Sequence, residues 1–185
     1  MAGIFEAGAK WKILSYFLDH PTEKAFVNEL ARRLKMGGGT CSRLCLELER
    51  EALLLKERAG NSLFYSLNGA SPLVKKLKTT ITVGRLEKLK SAWESDSIYA
   101  VALYGSHASG NYREASDIDL LVIASIEKIA AARLGDSLGK ALGKEVNVVL
   151  FAPGEWMKLA RKVDPFYTEA ISSHVLLKGE SVAVV

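Results

Sequence analysis

The stretch Ile98–Ala124, IYAVALYGSHASGNYREASDIDLLVIA, decides how the second half of this 185-residue chain is read. An apolar run suited to a buried strand turns at Gly105-Ser106 and passes through a short helical stretch and a polar loop. It then enters a second apolar run headed by two aspartates. Gly105 lets the backbone come close to an anion, Ser106 adds a hydroxyl, and the amides opening the next helix would face a phosphate with the dipole in its favour. Asp117 and Asp119 are two apart at the start of a strand, so both project from one face. Carboxylates so placed can hold Mg²⁺ or Mn²⁺ ions at the roughly 3.5–4 Å separation used in phosphoryl transfer.

Two other phosphate and nucleophile motifs fail here. Gly105 and Gly110 have the spacing of a P-loop, but Asn111-Tyr112 stands where Lys and Ser/Thr are required. No G-x-S-x-G elbow is present in this stretch, and His20, His107 and His174 form no metal-ligand spacing.

The segment resembles the signature of the DNA polymerase β nucleotidyltransferase superfamily in its minimal form: Gly105-Ser106, then Gly110, then Ser116-Asp117-Ile118-Asp119. The likeness runs over about residues 93 to 180, with GKEVNVVLF (143–151) as the next strand and DPFYTEAISSHVLLKG (164–179) as a closing helix and strand. It implies an α/β domain with a mixed sheet that transfers a nucleoside monophosphate from an NTP, with ATP the expected donor, to a hydroxyl on a protein, an RNA end or a small molecule. The metal would sit on Asp117 and Asp119. Gly105, Ser106, Gly110, Arg113 and Ser116 would bind the nucleotide. Minimal relatives often work beside a small helical protein in toxin–antitoxin pairs, which implies a partner of that kind.

The resemblance also exposes departures. Active relatives carry a third aspartate that completes the metal site and helps activate the attacking hydroxyl, and this chain has Asn147 there. An amide oxygen can coordinate Mg²⁺ but adds no charge and takes no proton. Glu145, two residues earlier, is a candidate replacement. His107 and Ser109 stand where relatives often have arginines, with Arg113 able to compensate.

Working outward, the first half differs in charge: 16 Lys+Arg against 9 Asp+Glu precede Trp93, and 9 against 12 follow from it, giving +7 and −3 and together the chain's +4. A basic half beside a mildly acidic one suits a polyanion-binding module joined to a cation-holding domain. Apolar spacing predicts helices over Ile4–Leu18 and Lys24–Leu34, then a turn at Gly37-Gly38-Gly39 and a third helix, capped by Thr40, to about Glu51. Two β-leaning runs, Leu53–Arg58 and Leu63–Leu67, flank Ala59-Gly60-Asn61-Ser62 and read as a hairpin.

Residues 29–68, ELARRLKMGGGTCSRLCLELEREALLLKERAGNSLFYSLN, resemble ArsR/MarR-like winged-helix regulators. That implies three helices plus a β-hairpin wing over residues 1–70 and DNA contacts from Thr40, Ser42 and Arg43 on the third helix and Arg58 on the wing. Such folds also mediate protein contact or dimerisation alone. Residues 71–92, Lys-rich with leucines at helical intervals, would connect to the transferase domain at 93–185, an α+β arrangement overall.

No run approaches the ~18 apolar residues of a membrane helix, and the N-terminus has no signal-peptide pattern, so the expected location is the cytoplasm with no membrane partner. Cys41 and Cys45, four apart in a helix, are expected to be reduced core thiols. Two readings of function stand side by side: a metal-dependent nucleotidyltransferase coupled to a DNA-binding winged helix, and a transcription regulator whose transferase-like domain senses nucleotide or forms a homodimer. A third is an antitoxin-like protein acting by contact alone.

Overall fold

The computed structural model describes residues 8–60 and 62–183. Ile4 and Phe5 of the first predicted helix and Asn61 of the hairpin tip lie outside the described residues. The chain divides into two compact units, residues 1–78 and 79–185.

The first unit opens with α1 (Ala9–Asp19), which buries Ile13, Leu14, Phe17 and Leu18 at helical spacing. A short strand β1 (Lys24–Phe26) leads into α2 (Val27–Arg33) and α3 (Gly38–Arg50), and a hairpin of β2 (Leu54–Ala59) and β3 (Ser62–Leu67) follows. The three strands form one antiparallel sheet in the order β1-β3-β2.

Two local expectations are corrected. Residues 24–26 are strand rather than the start of the second helix. Their backbone pairs with β3, Lys24 opposite Ser66 and Phe26 opposite Phe64, and the two Phe rings lie 5.8 Å apart. Thr40 is not the cap of α3. Gly37 holds that place with extended backbone (φ −66°, ψ 139°), and the Cys41 amide donates to its carbonyl at 2.9 Å, so Gly38, Gly39 and Thr40 are already helical. The preceding turn is made by Lys35, whose φ is +52°. Cys41 and Cys45 are free and buried, and burial pushes both thiols up, that of Cys45 far up.

The helix α4 (Pro72–Glu87) crosses the boundary between the units. In the second unit a 3-10 turn (Lys90–Trp93) leads to β4 (Ile98–Tyr104), α5 (Gly105–Ser109), β5 (Ile118–Ala124), α6 (Lys128–Leu142) and β6 (Val146–Phe151). Then come α7 (Pro153–Arg161), α8 (Pro165–Ser172) and β7 (Val175–Lys178). The sheet order is β6-β5-β4-β7, with β5 and β6 parallel and the other pairs antiparallel, so the expected mixed sheet is present. A parallel pair needs a crossover, and α6 supplies it.

Alternation along β4 and β5 sorts the two cores. Val101, Leu103, Leu120 and Val122 pack with Leu86, Trp93, Leu134 and Leu138 on one face. Ala100, Ala102, Leu121 and Ile123 pack with Trp156, Tyr167 and Ala170 on the other. The buried Trp156 indole donates to the Val182 carbonyl at 2.7 Å, satisfying its polar edge. No helix among the described residues is long and apolar enough to cross a membrane.

Candidate functional site

Sheet register assembles the site. Tyr104 lies opposite Asp119 across β4 and β5, and Asp119 lies opposite Asn147 across β5 and β6, so three adjacent strands present one row of side chains. Asp117, just before β5, joins that row. The Asn147 amide nitrogen lies 3.4 Å from Asp117 Oδ2 and 3.3 Å from Asp119 Oδ1, donating long hydrogen bonds to both carboxylates. The strand spacing read in the sequence thus brings Asp117, Asp119 and Asn147 together.

Gly105 closes one side of this cluster. Its φ is +68°, and a Cβ built there would sit 2.9 Å from Asp119 Oδ2, so both the backbone conformation and the carboxylate demand glycine. Beside the approach to a phosphate expected from the sequence, the structure gives Gly105 a second reason to lack a side chain, the Asp119 carboxylate itself.

Burial pushes the Asp119 carboxyl above its ordinary value, and the Asp117 charge adds to that while the Asn147 hydrogen bond opposes it. Tyr104 beside it is pushed up to about 12, by burial first and then by the charges of Asp119 and Glu169. A carboxylate that burial holds against ionising, with a second one beside it, is a donor set that a hard divalent cation would suit, and the Asn147 side chain would add an amide oxygen on rotation. Among the described residues no group of three or more His, Cys, Asp or Glu is placed to hold a metal, so this cluster holds two carboxylates and an amide.

The remaining candidates fall nearby or apart. Glu145 precedes β6 and is exposed, and its carbonyl accepts from the Ile118 amide at 3.0 Å. None of the described contacts links its carboxylate to Asp117 or Asp119. Ser106 accepts the Asn111 amide at 2.9 Å through its carbonyl, and Gly110 ends α5 in the left-handed region at φ 74°. Helix α5 is little more than a single turn, five residues long, so it adds little dipole to its first amides. Arg113 is exposed, and its amide donates to Ser116 Oγ at 2.9 Å. In the first unit Thr40 and Ser42 are exposed on α3. The Arg43 side chain is 65% exposed and its guanidinium lies 2.5 Å from Glu47, one turn on. Arg58 Nε donates to the Gly60 carbonyl at 3.2 Å.

His107, which stands where the family likeness often has an arginine, is 2% exposed, with its ring nitrogens near Thr82 and the Ser116 carbonyl, a setting the sequence did not announce. The signal for it, a pair of threonines on α4, lies 25 residues upstream at Thr82.

Comparison with known proteins bears on this unit. Residues 86–173, a little under half of the chain, match the model of the nucleotidyltransferase domain family. No curated protein matches the chain. Among solved structures the chain is similar to a toxin–antitoxin crystal structure with AMP-PNP, at 22% identity and a TM-score of 0.41 over 54% of this chain and 74% of that one. It is also similar to a tri-AMPylated HEPN toxin in complex with MNT antitoxin from Shewanella oneidensis (19%, TM-score 0.35, 57% and 73%). A third is a nucleotidyltransferase-described protein from Sulfolobus solfataricus (17%, TM-score 0.33, 56% and 82%). With TM-scores below 0.5, these superpositions add nothing to the family match. What the comparisons show for this unit is thus a likeness, over residues 86–173, to the nucleotidyltransferase domain family.

Proposed function

We propose that this chain transfers a nucleoside monophosphate from an NTP, with ATP the expected donor, to a hydroxyl acceptor, and that its first unit is a winged helix that binds DNA. The observation that carries the transferase reading is the convergence of Asp117, Asp119 and Asn147 against Gly105 within a matched nucleotidyltransferase domain. Asp117 and Asp119 would hold Mg²⁺ or Mn²⁺, which when bound neutralises charge on the transferring phosphoryl group. Around it, Gly105 leaves the space that the Asp119 oxygen occupies, and Ser106 with Gly110, Arg113 and Ser116 would engage the nucleotide. Asn147, whose amide nitrogen now donates to both carboxylates, would offer its amide oxygen to a cation held there. It cannot take the acceptor's proton, so turnover is slow, or Glu145 takes that part.

For the first unit, support comes from the order helix, strand, helix, helix, hairpin and from the basic charge of the N-terminal half. The exposed Thr40, Ser42 and Arg43 on α3, with Arg58 in the hairpin, would meet the DNA. The family resemblance implies a small helical protein as acceptor or partner.

A second reading is favoured by one observation: the third member of the cluster is an amide that donates to both carboxylates, where an acid would be needed to take a proton. In that case the domain binds nucleotide or a second copy of itself and serves a DNA-binding regulator. The deciding experiment incubates the full chain with α-³²P-labelled NTPs, Mg²⁺ and cell lysate. The transferase reading expects label on an acceptor, none with Asp117→Asn/Asp119→Asn, and faster labelling with Asn147→Asp, while Glu145→Ala shows whether that carboxylate contributes. Binding of NTP with no label from either the parent or Asn147→Asp installs the regulator reading.

A further inference from the structure

We propose that His107 is the positioning residue that fixes Asp117, and so sets the geometry of the metal pair; this rests on the transferase reading of the site. The two aspartates are held unequally. Asp119 lies within β5 and is flanked in the sheet by Tyr104 and Asn147. Asp117 lies before the strand begins, at the end of the irregular segment 111–117, so the ladder does not hold it.

The Asp117 carboxylate meets the Asn147 amide at 3.4 Å, and the backbone behind it is restrained by His107. Its Nε2 lies 3.3 Å from the carbonyl oxygen of Ser116, the residue bonded to Asp117. A carbonyl only accepts, so Nε2 carries a proton, and in the neutral ring Nδ1 is left to accept from Thr82 Oγ1 at 3.0 Å. The ring stacks on Tyr112 at 3.9 Å between centroids and 8° between planes, which fixes its orientation from within the same segment. Thr79, one turn before Thr82 on α4, donates to the Ala108 carbonyl at 2.9 Å. Helix α4 therefore grips α5 at two consecutive residues, and α5 in turn grips the backbone leading into Asp117. His107 is also two residues from Gly105, so one imidazole ties the turn that accommodates the Asp119 carboxylate to the peptide that aims the Asp117 carboxylate. Outer partners of metal ligands act in this way, and losing one typically costs about 10–100-fold in metal affinity.

The test uses the full chain and three variants. His107→Phe keeps a ring against Tyr112 but removes the donor, His107→Gln restores a donor near Nε2, and Thr82→Val removes the ring's second partner with little change of volume. Two quantities are read: Mn²⁺ affinity without nucleotide, by electron paramagnetic resonance, and amide hydrogen exchange in peptides covering residues 111–119. His107→Phe is expected to weaken Mn²⁺ binding about 10–100-fold and to raise exchange in that segment. His107→Gln is expected to recover most of both, and Thr82→Val to show a smaller loss of the same sign. If His107 contacts phosphate instead, His107→Phe leaves Mn²⁺ affinity and exchange unchanged and weakens only ATP binding, which overturns the proposal. A His107→Gln variant no better than His107→Phe on both readouts overturns it as well. If the parent binds no Mn²⁺ at all, the transferase reading fails, while the exchange comparison still decides whether His107 holds the segment.

Discussion

Gly39 and Gly105 each stand at the opening of a helix that the sequence marks as functional, one in each compact unit. A methyl group added to Gly39 meets nothing within 4 Å, and its φ is not in the left-handed range. At Gly105 the same methyl meets the Asp119 carboxylate at 2.9 Å, with φ at +68°. In the first unit, then, glycine is a cost carried inside a helix, where it loses backbone entropy without a structural return. In the second it is the condition for packing a charged side chain against a turn. The difference separates a surface that would work by what it exposes from a site that works by how closely it is packed.

The largest effect should come from removing what Gly105 makes room for. Asp117→Asn/Asp119→Asn should abolish the stabilisation that Mg²⁺ plus ATP gives the parent, about 2.7 kcal/mol at a hundredfold excess over Kd, as read by thermal melting. A double variant that melts with ligand like the parent would show that the carboxylates beside Gly105 hold no metal. Gly105→Ala comes next, with a destabilisation of about 1–3 kcal/mol from a left-handed alanine and the clash with Asp119, read by denaturant unfolding. Combining it with Asp119→Ala should return part of that loss, and no return would mean that backbone strain alone explains the glycine.

On the exposed side, Arg43→Ala should change stability little, because an exposed pair one turn apart such as Arg43 with Glu47 is worth about 0.3–0.5 kcal/mol. Its DNA affinity should fall and its specificity relax by about 1–3 kcal/mol per lost base contact, with binding steeply salt-dependent. Unchanged DNA binding in a gel-shift titration would remove α3 from the interface. The smallest effect is expected for Gly39→Ala, a gain of about 0.5–1 kcal/mol on chemical denaturation. If it instead weakens DNA binding while stabilising the fold, Gly39 serves close approach to a phosphate and the two glycines are more alike than their surroundings suggest.

Much of the second unit could be read from sequence because its signals are local. The runs 98–104, 118–124 and 146–151 are long and apolar, and the period of two puts Asp117 with Asp119, while the family likeness placed Asn147 in the same row. What stayed hidden depends on partners distant in the chain. Lys24–Phe26 carries apolar residues compatible with a helix, and only β3, some forty residues on, makes it a strand. Nothing near His107 in sequence announces Thr82, 25 residues upstream, as the partner of its ring. Glu145 shares the parity of Asn147 on paper, yet β6 begins one residue later, and no described contact carries its carboxylate to the pair. The start of α3 was misjudged because a glycine can serve as a cap with no side chain to announce it.

The pairing of Asp119 with Asn147 makes the site a witness to folding. The two residues are 28 apart, joined through the α6 crossover, and their strands run parallel, a contact that forms only after a long loop has closed. A slip of one residue along β6 would present a valine to Asp119 instead of the amide. Partly ordered chains with β6 unpaired or slipped therefore keep the two aspartates but lack the amide between them. In a refolding experiment Mn²⁺ binding should reach its final strength only when β6 has docked in register, which makes the amide's contribution a reporter of strand register as well as of chemistry.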